Sequence, residues 1–308
     1  MLTRYETPET LSLSHATTPG ILLQRGFEHR LAAKYGELST RLQQAGDYLA
    51  ANPLDTATRS LRSVADESGI APATFSRLAR ALEFEDFEEL REAMRKQLGR
   101  RVSSFAERAD DLRQSQAEES HVFLKTARNS AVANIDQLIA DSEPERLEQT
   151  AKRLSEARNV VLLGALGSTG IAEYAGYMGN FLGPNWKQAG RMGASIGSAI
   201  CDLDAQDALI VITKAPHATV SIRAAEEARK QGVYVVVIAS SHTCPALKGA
   251  NSGFIVPSEG PNFFSSYVAT VFLLETLIAM VARISSPETS ERIAEIERQS
   301  HVLGEVIG

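Results

Sequence analysis

Hydrophobic and polar positions along the chain follow two different rules, one in each half. Over residues 22–51 apolar side chains return at helical spacing, with Leu38, Leu42, Ala45 and Leu49 on one stripe. The pattern stops at Asn52 and Pro53, which predict a helix terminator and a turn. In residues 60–82, SLRSVADESGIAPATFSRLARAL, Leu61, Val64 and Ala65 give a short helix a buried face, Gly69 supplies a tight turn, and Pro72 opens a second helix. Phe75, Leu78, Ala79 and Leu82 then recur at i, i+3, i+4 and i+7. Residues 83–92 turn acid outward and Phe84, Phe87 and Leu90 inward, and residues 95–141 stay helical and highly charged, with Phe105, Val122 and Leu138 among intermittent apolar contacts.

Beyond residue 142 the rule changes. A helix opening at Glu143 and Pro144 delivers the chain to near-continuous apolar runs at 160–163, 208–213, 233–239 and 254–256, with a weaker strand at 185–188. Helical stretches alternate with them at about 171–182, 190–201 and 221–231. Buried strands alternating with helices predict a doubly wound parallel sheet with helices on both sides. The expected fold class is therefore α + α/β. A loose arm over 1–26 precedes an all-helical domain over 27–100 and a helical connector over 101–141, and an α/β domain over 142–285 is followed by a C-terminal helix over 286–308. An apolar helix expected over 262–284 reads equally as a subunit contact or as a core helix.

Composition narrows the class. A length of 308 residues with 44% hydrophobic content is enough for two cores. Two cysteines, Cys201 and Cys244, stand apart from any Cys/His cluster, so neither a disulfide framework nor a zinc site is expected. The first residues lack an apolar core, and the longest apolar run, 268–282, is interrupted by Glu275 and falls short of the ~20 residues of a membrane span. A cytoplasmic protein without membrane contact is the expectation.

The net charge of −6 argues against a chain that coats nucleic acid throughout, but it leaves room for a local basic face. The helix–turn–helix of residues 60–82 has one. Its outward side carries Ala73, Thr74, Ser76, Arg77 and Arg80, small, hydroxylic and basic, as a major-groove reading helix requires. Thr74 and Arg77 lie near its N-terminal end, where base edges are met, and Arg80, Arg59 and Arg62 are placed for phosphates. The bland alternative is an ordinary three-helix bundle with solvated arginines.

The second candidate is residues 158–171, RNVVLLGALGSTGI, where an apolar strand runs through a turn bounded by Gly164 and Gly167 into a helix near Ser168 and Thr169. A strand, turn and helix of this kind aim backbone N–H groups and the positive end of a helix dipole at one spot, an anion site. In such sheets ligands lie beyond the carboxyl ends of the strands, which here also bring Thr213, Lys214, His217 and Glu259. A nicotinamide enzyme is disfavoured. The fingerprint glycine is Ala165, and where an acid should meet the ribose stand Trp186, Lys187 and Gln188.

Taken together the two halves resemble the RpiR family of bacterial transcriptional regulators, a helix-turn-helix followed by a sugar isomerase (SIS) domain. SGIAPATFSRLARAL with Phe84 and Phe87 is the stronger part of that resemblance. The loops depart from it: Leu166 replaces the second glycine of a Gly-x-Gly-x-Ser turn, Ala215 a serine of the second loop, and Cys244 a serine of the third. The resemblance implies a double-stranded DNA operator, a homodimer or homotetramer, and an effector that is a sugar phosphate or related small anionic metabolite. No cofactor or metal is expected. Gly164, Gly167, Ser168, Thr169, Thr213, Lys214, His217 and Glu259 are the expected effector contacts, with Lys214 and His217, and Arg191 nearby, compensating for the lost hydroxyls. The alternative is an aldose–ketose phosphate isomerase-like enzyme with Glu259 or His217 as base.

Overall fold

The computed structural model describes residues 27–102, 104–114, 120–191, 193 and 195–307. The arm expected over 1–26 lies outside them. The chain divides into two compact units at Ser104 and Phe105.

The first unit is all helical: α1 (Phe27–Lys34), α2 (Thr40–Ala51), α3 (Pro53–Thr58), α4 (Leu61–Ser68), α5 (Pro72–Ala81) and α6 (Phe87–Val102). The helical spacing read over 22–51, of which 22–26 lie outside the described residues, is divided between α1 and α2. Between them the chain tightens into a 3₁₀ turn at Tyr35–Glu37, and Leu38 and Ser39 then take extended backbone before α2 starts. Gly36, a poor helix former, sits inside that turn. Helix α2 ends at Ala51, capped by Asn52, as the pattern predicts, but Pro53 opens a new helix rather than a turn. It is the first residue of α3, where its missing N–H has no intrahelical acceptor to lose. The pair α4–α5 forms as expected: Ser60 caps α4 by accepting a hydrogen bond from the Ser63 N–H at 3.2 Å, and Gly69 at φ 65° makes the left-handed turn that a residue with a side chain enters at a cost.

Phe75 is fully buried, edge-on to Tyr48 at 6.4 Å and to Phe87 at 6.0 Å, so α2, α5 and α6 close on one aromatic cluster. Arg30, also buried, donates to the Leu82 carbonyl at 3.1 Å and the Glu83 carbonyl at 2.7 Å, and its guanidinium lies 4.0 Å from the Phe84 ring. A cation thus satisfies the carbonyl end of α5.

The second unit holds α7 (Phe105–Gln114), α8 (Ser120–Asp141), α9 (Pro144–Glu156), β1 (Val160–Gly164), α10 (Thr169–Leu182), β2 (Trp186–Gln188), α11 (Ile196–Ile200), β3 (Ala208–Thr213), α12 (Thr219–Lys230), β4 (Tyr234–Ala239), β5 (Ser252–Ile255), α13 (Val268–Ile284) and α14 (Pro287–Leu303). The five strands pair in parallel in the order β2-β1-β3-β4-β5, with Val160 opposite Ala208 and Ala208 opposite Tyr234. Alternate side chains separate two cores. Val160, Leu162, Ile210, Ile212, Val236 and Ile238 pack with residues of α8, α9, α10 and α13, while Val161, Leu163, Leu209, Val211, Val235 and Val237 pack with α11 and α12.

At the amino ends of β1 and β3, Asp207 accepts from Arg158 Nε at 3.1 Å and from Asn159 Nδ2 at 2.8 Å. Burial alone would raise its carboxyl, but these bonds outweigh it and hold the group at about 2.

Two expected helices are shorter than their patterns. The one read at 190–201 shrinks to α11, because Gly190 and Gly193 stand at φ 76° and 81° ahead of it and the Ser195 cap starts the helix only at Ile196. The one read over 262–284 begins at Val268, and residues 262–267 bend across the sheet's carboxyl end instead. Ala269, Leu273, Leu274, Leu277, Ile278 and Val281 are buried in the unit's own core, which makes α13 a core helix. No single described helix is long and apolar enough to cross a membrane.

Candidate functional site

In a sheet of order 2-1-3-4-5 the winding reverses between β1 and β3, and the crevice beyond their carboxyl ends is where such sheets hold ligands. A cavity of about 60 Å³ lies there, lined by Ala165–Ser168 after β1, by Thr213–Pro216 after β3, by Phe264, Ser265 and Tyr267 ahead of α13, and by Phe105 at the start of α7. A larger cleft of about 750 Å³, between the ends of α9 and α13 and the start of β2, sits at the opposite, amino end of the strands. The sheet rule favours the smaller cavity.

Close packing shapes the first loop. A Cβ on Gly164 would collide with the carbonyl oxygen of Ser168, and one on Gly167 would stand 2.8 Å from Phe264 Cε1. Both glycines let the chain turn tightly from β1 into α10. Between them Leu166 adopts φ 55°, a left-handed conformation unusual for a leucine, with its side chain 74% exposed. Ser168 is buried, and its hydroxyl shares a hydrogen bond of 2.9 Å with the Tyr267 phenol. Burial pushes that phenol up, with the Ser168 bond pulling the other way. Thr169 begins α10 and donates to the Gly164 carbonyl at 3.4 Å.

Lys214 dominates the second loop. It follows the last residue of β3, is only 8% exposed, and its Nζ has no hydrogen-bond partner among the described residues. Its Nζ lies over the face of Tyr267, 4.8 Å from the ring centroid. Burial drives the amine down to about 7. Thr213, also buried, lies 3.3 Å from His217 Nδ1, and burial lowers that imidazole too. Ser240, just past the end of β4, accepts a hydrogen bond from the Ala215 N–H at 3.2 Å and ties the third loop to the second.

The expected effector residues therefore divide. Gly167, Ser168, Thr213 and Lys214 line the cavity; Gly164, Thr169 and His217 support it from behind. Glu259 does not line it: the side chain is exposed, and its carbonyl accepts from Asn134 at 2.7 Å. Arg191 is occupied in an ion pair with Glu173. Tyr267, Phe264 and Phe105 were absent from the expected set. Phe105 and Phe264 stack 4.7 Å apart over the cavity, and Gly167 leaves the space that Phe264 fills. The signal for Tyr267 was one of three aromatics, Phe263, Phe264 and Tyr267, just ahead of a strongly apolar helix, and local pattern alone does not aim any of them at a site.

In the first unit, Ala73, Arg77 and Arg80 of α5 are exposed, Ser76 is half-buried, and Arg59 and Arg62 are exposed around the start of α4. Arg77 Nε donates to the Ala73 carbonyl at 3.3 Å. Arg59 is paired with Asp55 at 3.2 Å and with Glu67. Thr74 overturns its expectation as a base-reading residue. It is 4% exposed, because it sits one position before Phe75 on the side of α5 that turns into the core.

Residues 153–280 match the model of the SIS domain, so the C-terminal half of the chain carries one. No curated protein matches the chain. Among solved structures, the Vibrio vulnificus NanR protein complexed with ManNAc-6P is 18% identical, with a TM-score of 0.53 over 90% of this chain and 99% of that one. The sugar isomerase domain of an RpiR transcription factor from Sphaerobacter thermophilus is also 18% identical, with a TM-score of 0.52 over 56% of this chain and 96% of that one. At such identities the likeness is one of fold: a helical region followed by a five-stranded, all-parallel SIS-like α/β sheet.

Proposed function

We propose that the protein is a DNA-binding transcriptional regulator whose SIS domain senses a small anionic metabolite and adjusts operator affinity. The observation that carries this reading is one chain holding both a helix-turn-helix with exposed Arg62, Arg77 and Arg80 and a switch-point cavity lined by a buried cation, Lys214, that has no hydrogen-bond partner among the described residues. An anion supplies the missing partner to the ammonium, and the N-terminus of α10 adds its dipole and N–H groups. The Vibrio vulnificus protein that shares the fold was solved with ManNAc-6P, which makes sugar phosphates the first compounds to test.

Sensing is favoured over isomerisation by the cavity wall. Of the two bases an isomerase would draw on, Glu259 does not line the cavity and His217 stands behind Thr213, 3.3 Å from its hydroxyl. For ligand binding to alter DNA affinity, the ligand must prefer one arrangement of the protein over another, since equal affinity shifts nothing. A homodimer or homotetramer fits the exposed apolar side chains Val122, Phe123, Leu124, Val132 and Ile139 along α8.

The test is binding of the purified protein to DNA flanking its own gene, titrated with salt and random-sequence competitor, with and without sugar phosphates. Binding that survives competitor and is altered by a sugar phosphate is the expected result. Binding no tighter than to random sequence under every condition would refute the regulator.

A further inference from the structure

The proposed effector cavity contains a group whose chemistry goes beyond binding. Pairing with an anion uses the ammonium form of Lys214, but burial without a partner also makes the neutral amine available. Lys214 is buried, its Nζ facing the Tyr267 ring, and Nζ has no hydrogen-bond partner among the described residues. No carboxylate or second cation is among the described residues that line the cavity. The titratable groups around the amine are Tyr267, whose ring it faces, and His217, bonded to the adjacent Thr213. Neither stabilises an ammonium as a carboxylate would, and apolar burial of this kind is how lysines become nucleophiles.

We infer that Lys214 captures its ligand covalently and reversibly, as a Schiff base with a small aldehyde or ketone. This rests on the sheet mouth being the effector site and adds the carbonyl as the group recognised. The neutral Nζ attacks the carbonyl carbon, forming the C–N bond while the carbonyl oxygen takes up a proton. The carbinolamine then loses that oxygen as water and leaves a C=N bond. Amine and carbonyl give imine and one water, with no oxidant or reductant consumed, and hydrolysis returns both. The hydrogen-bonded Ser168 and Tyr267 hydroxyls, 2.9 Å apart, stand on the same wall to exchange that proton. The cavity's size agrees: about 60 Å³ admits roughly four water-sized spheres, room for the carbonyl end of a three- or four-carbon compound. A phosphate on such a compound would project toward the N-terminus of α10.

Lys214 also titrates where the reaction needs it. Held at about 7, it is half neutral near pH 7, whereas an exposed lysine at about 10.4 is protonated in all but a small fraction.

The experiment incubates the full-length protein with dihydroxyacetone or dihydroxyacetone phosphate and sodium cyanoborohydride, then quantifies the reduced adduct on each lysine by peptide mass spectrometry. The expected result is labelling of Lys214 about tenfold or more above the exposed Lys230 at pH 7, rising with pH up to about 7 and then levelling, and absent in Lys214→Met. The phosphate ester should label at lower concentration than the parent triose. Labelling of Lys214 no greater than Lys230, while dihydroxyacetone phosphate still raises the melting temperature, would overturn the covalent step and leave the effector site standing. Neither labelling nor a thermal shift, in the native protein or in Phe105→Ala, would remove both.

Discussion

The ring of Phe105 lies 4.7 Å from that of Phe264 with the planes 13° apart, and the two together roof the cavity over Lys214. Phe105 is also 37% exposed and covered on one side by the guanidinium of Arg108 at 4.9 Å. A ligand larger than the enclosed space has to displace this ring. Phe105→Ala should therefore speed ligand association several-fold and shorten residence time, with thermal stability lowered by no more than about 1 kcal/mol, since the lost contact is a partly exposed aromatic pair. Stopped-flow binding of a sugar phosphate to the two proteins measures both rates; equal association rates would show that Phe105 does not limit entry.

Lys214 is held at about 7 in the folded protein and returns to about 10.4 on unfolding. Between those values the unfolded chain binds more protons than the folded one, so this group makes stability rise with pH from about 7 to about 10.4. Below pH 7 the folded state bears the full cost of a buried ammonium. Lys214→Met should raise stability at pH 6 by about 1–3 kcal/mol, the usual penalty of an unsatisfied buried polar group, and lose its advantage toward pH 10. Urea unfolding of both proteins across this range gives the difference directly. The same variant should lose its response to effector while still binding DNA.

On α5, Arg77 and Arg80 are both exposed and differ in position along the helix. Arg77→Ala should flatten sequence preference by about 1–3 kcal/mol, whereas Arg80→Ala should weaken binding to all sequences alike and lower the salt slope by about one. Competition against operator and random DNA at two salt concentrations separates the two, and identical behaviour would defeat the assignment. Thr74→Ala, a change inside the core, should lower stability and leave sequence preference as it was.

Leu166 sits at φ 55° with an exposed side chain. Leu166→Gly should be neutral or stabilising by up to about 1 kcal/mol, because glycine takes this backbone without steric cost. Leu166→Val should be destabilising by about 1 kcal/mol or more, since a β-branched side chain is least suited to positive φ. At Gly164 the order reverses. An alanine there drives into the Ser168 carbonyl, so Gly164→Ala should lower the melting temperature more than any change at Leu166. Thermal melts of the three variants rank them.

Much of the sheet was legible because β1, β3 and β4 are buried on both faces and so read as unbroken apolar runs. All five strands fell close to their expected places, the short Trp186–Gln188 included. Helix boundaries were less legible. Hydrophobic period carried the reading through residues 22–51 and 190–201, where a 3₁₀ turn around Gly36 and two left-handed glycines interrupt it. At the cavity, local pattern found Ser168, Thr213 and Lys214, which belong to strand ends. It missed Tyr267 and Phe105, because a residue brought in from another element leaves no periodic trace, and it kept Glu259, which follows a strand but turns outward. Thr74 was misassigned because one helical position, about 100° of rotation, separates a reading face from a packing face.

The two faces of the sheet are dressed unequally. One carries the long helices α8, α9, α10 and α13, and the other rests on α12, the five-residue α11 and the glycine-punctuated stretch before it. The central strands β1 and β3 are covered on the first side by four packed helices and on the second by α12 and the short α11. Local opening, read as amide exchange, is accordingly expected first on the α11 side, none of whose described residues lines the cavity.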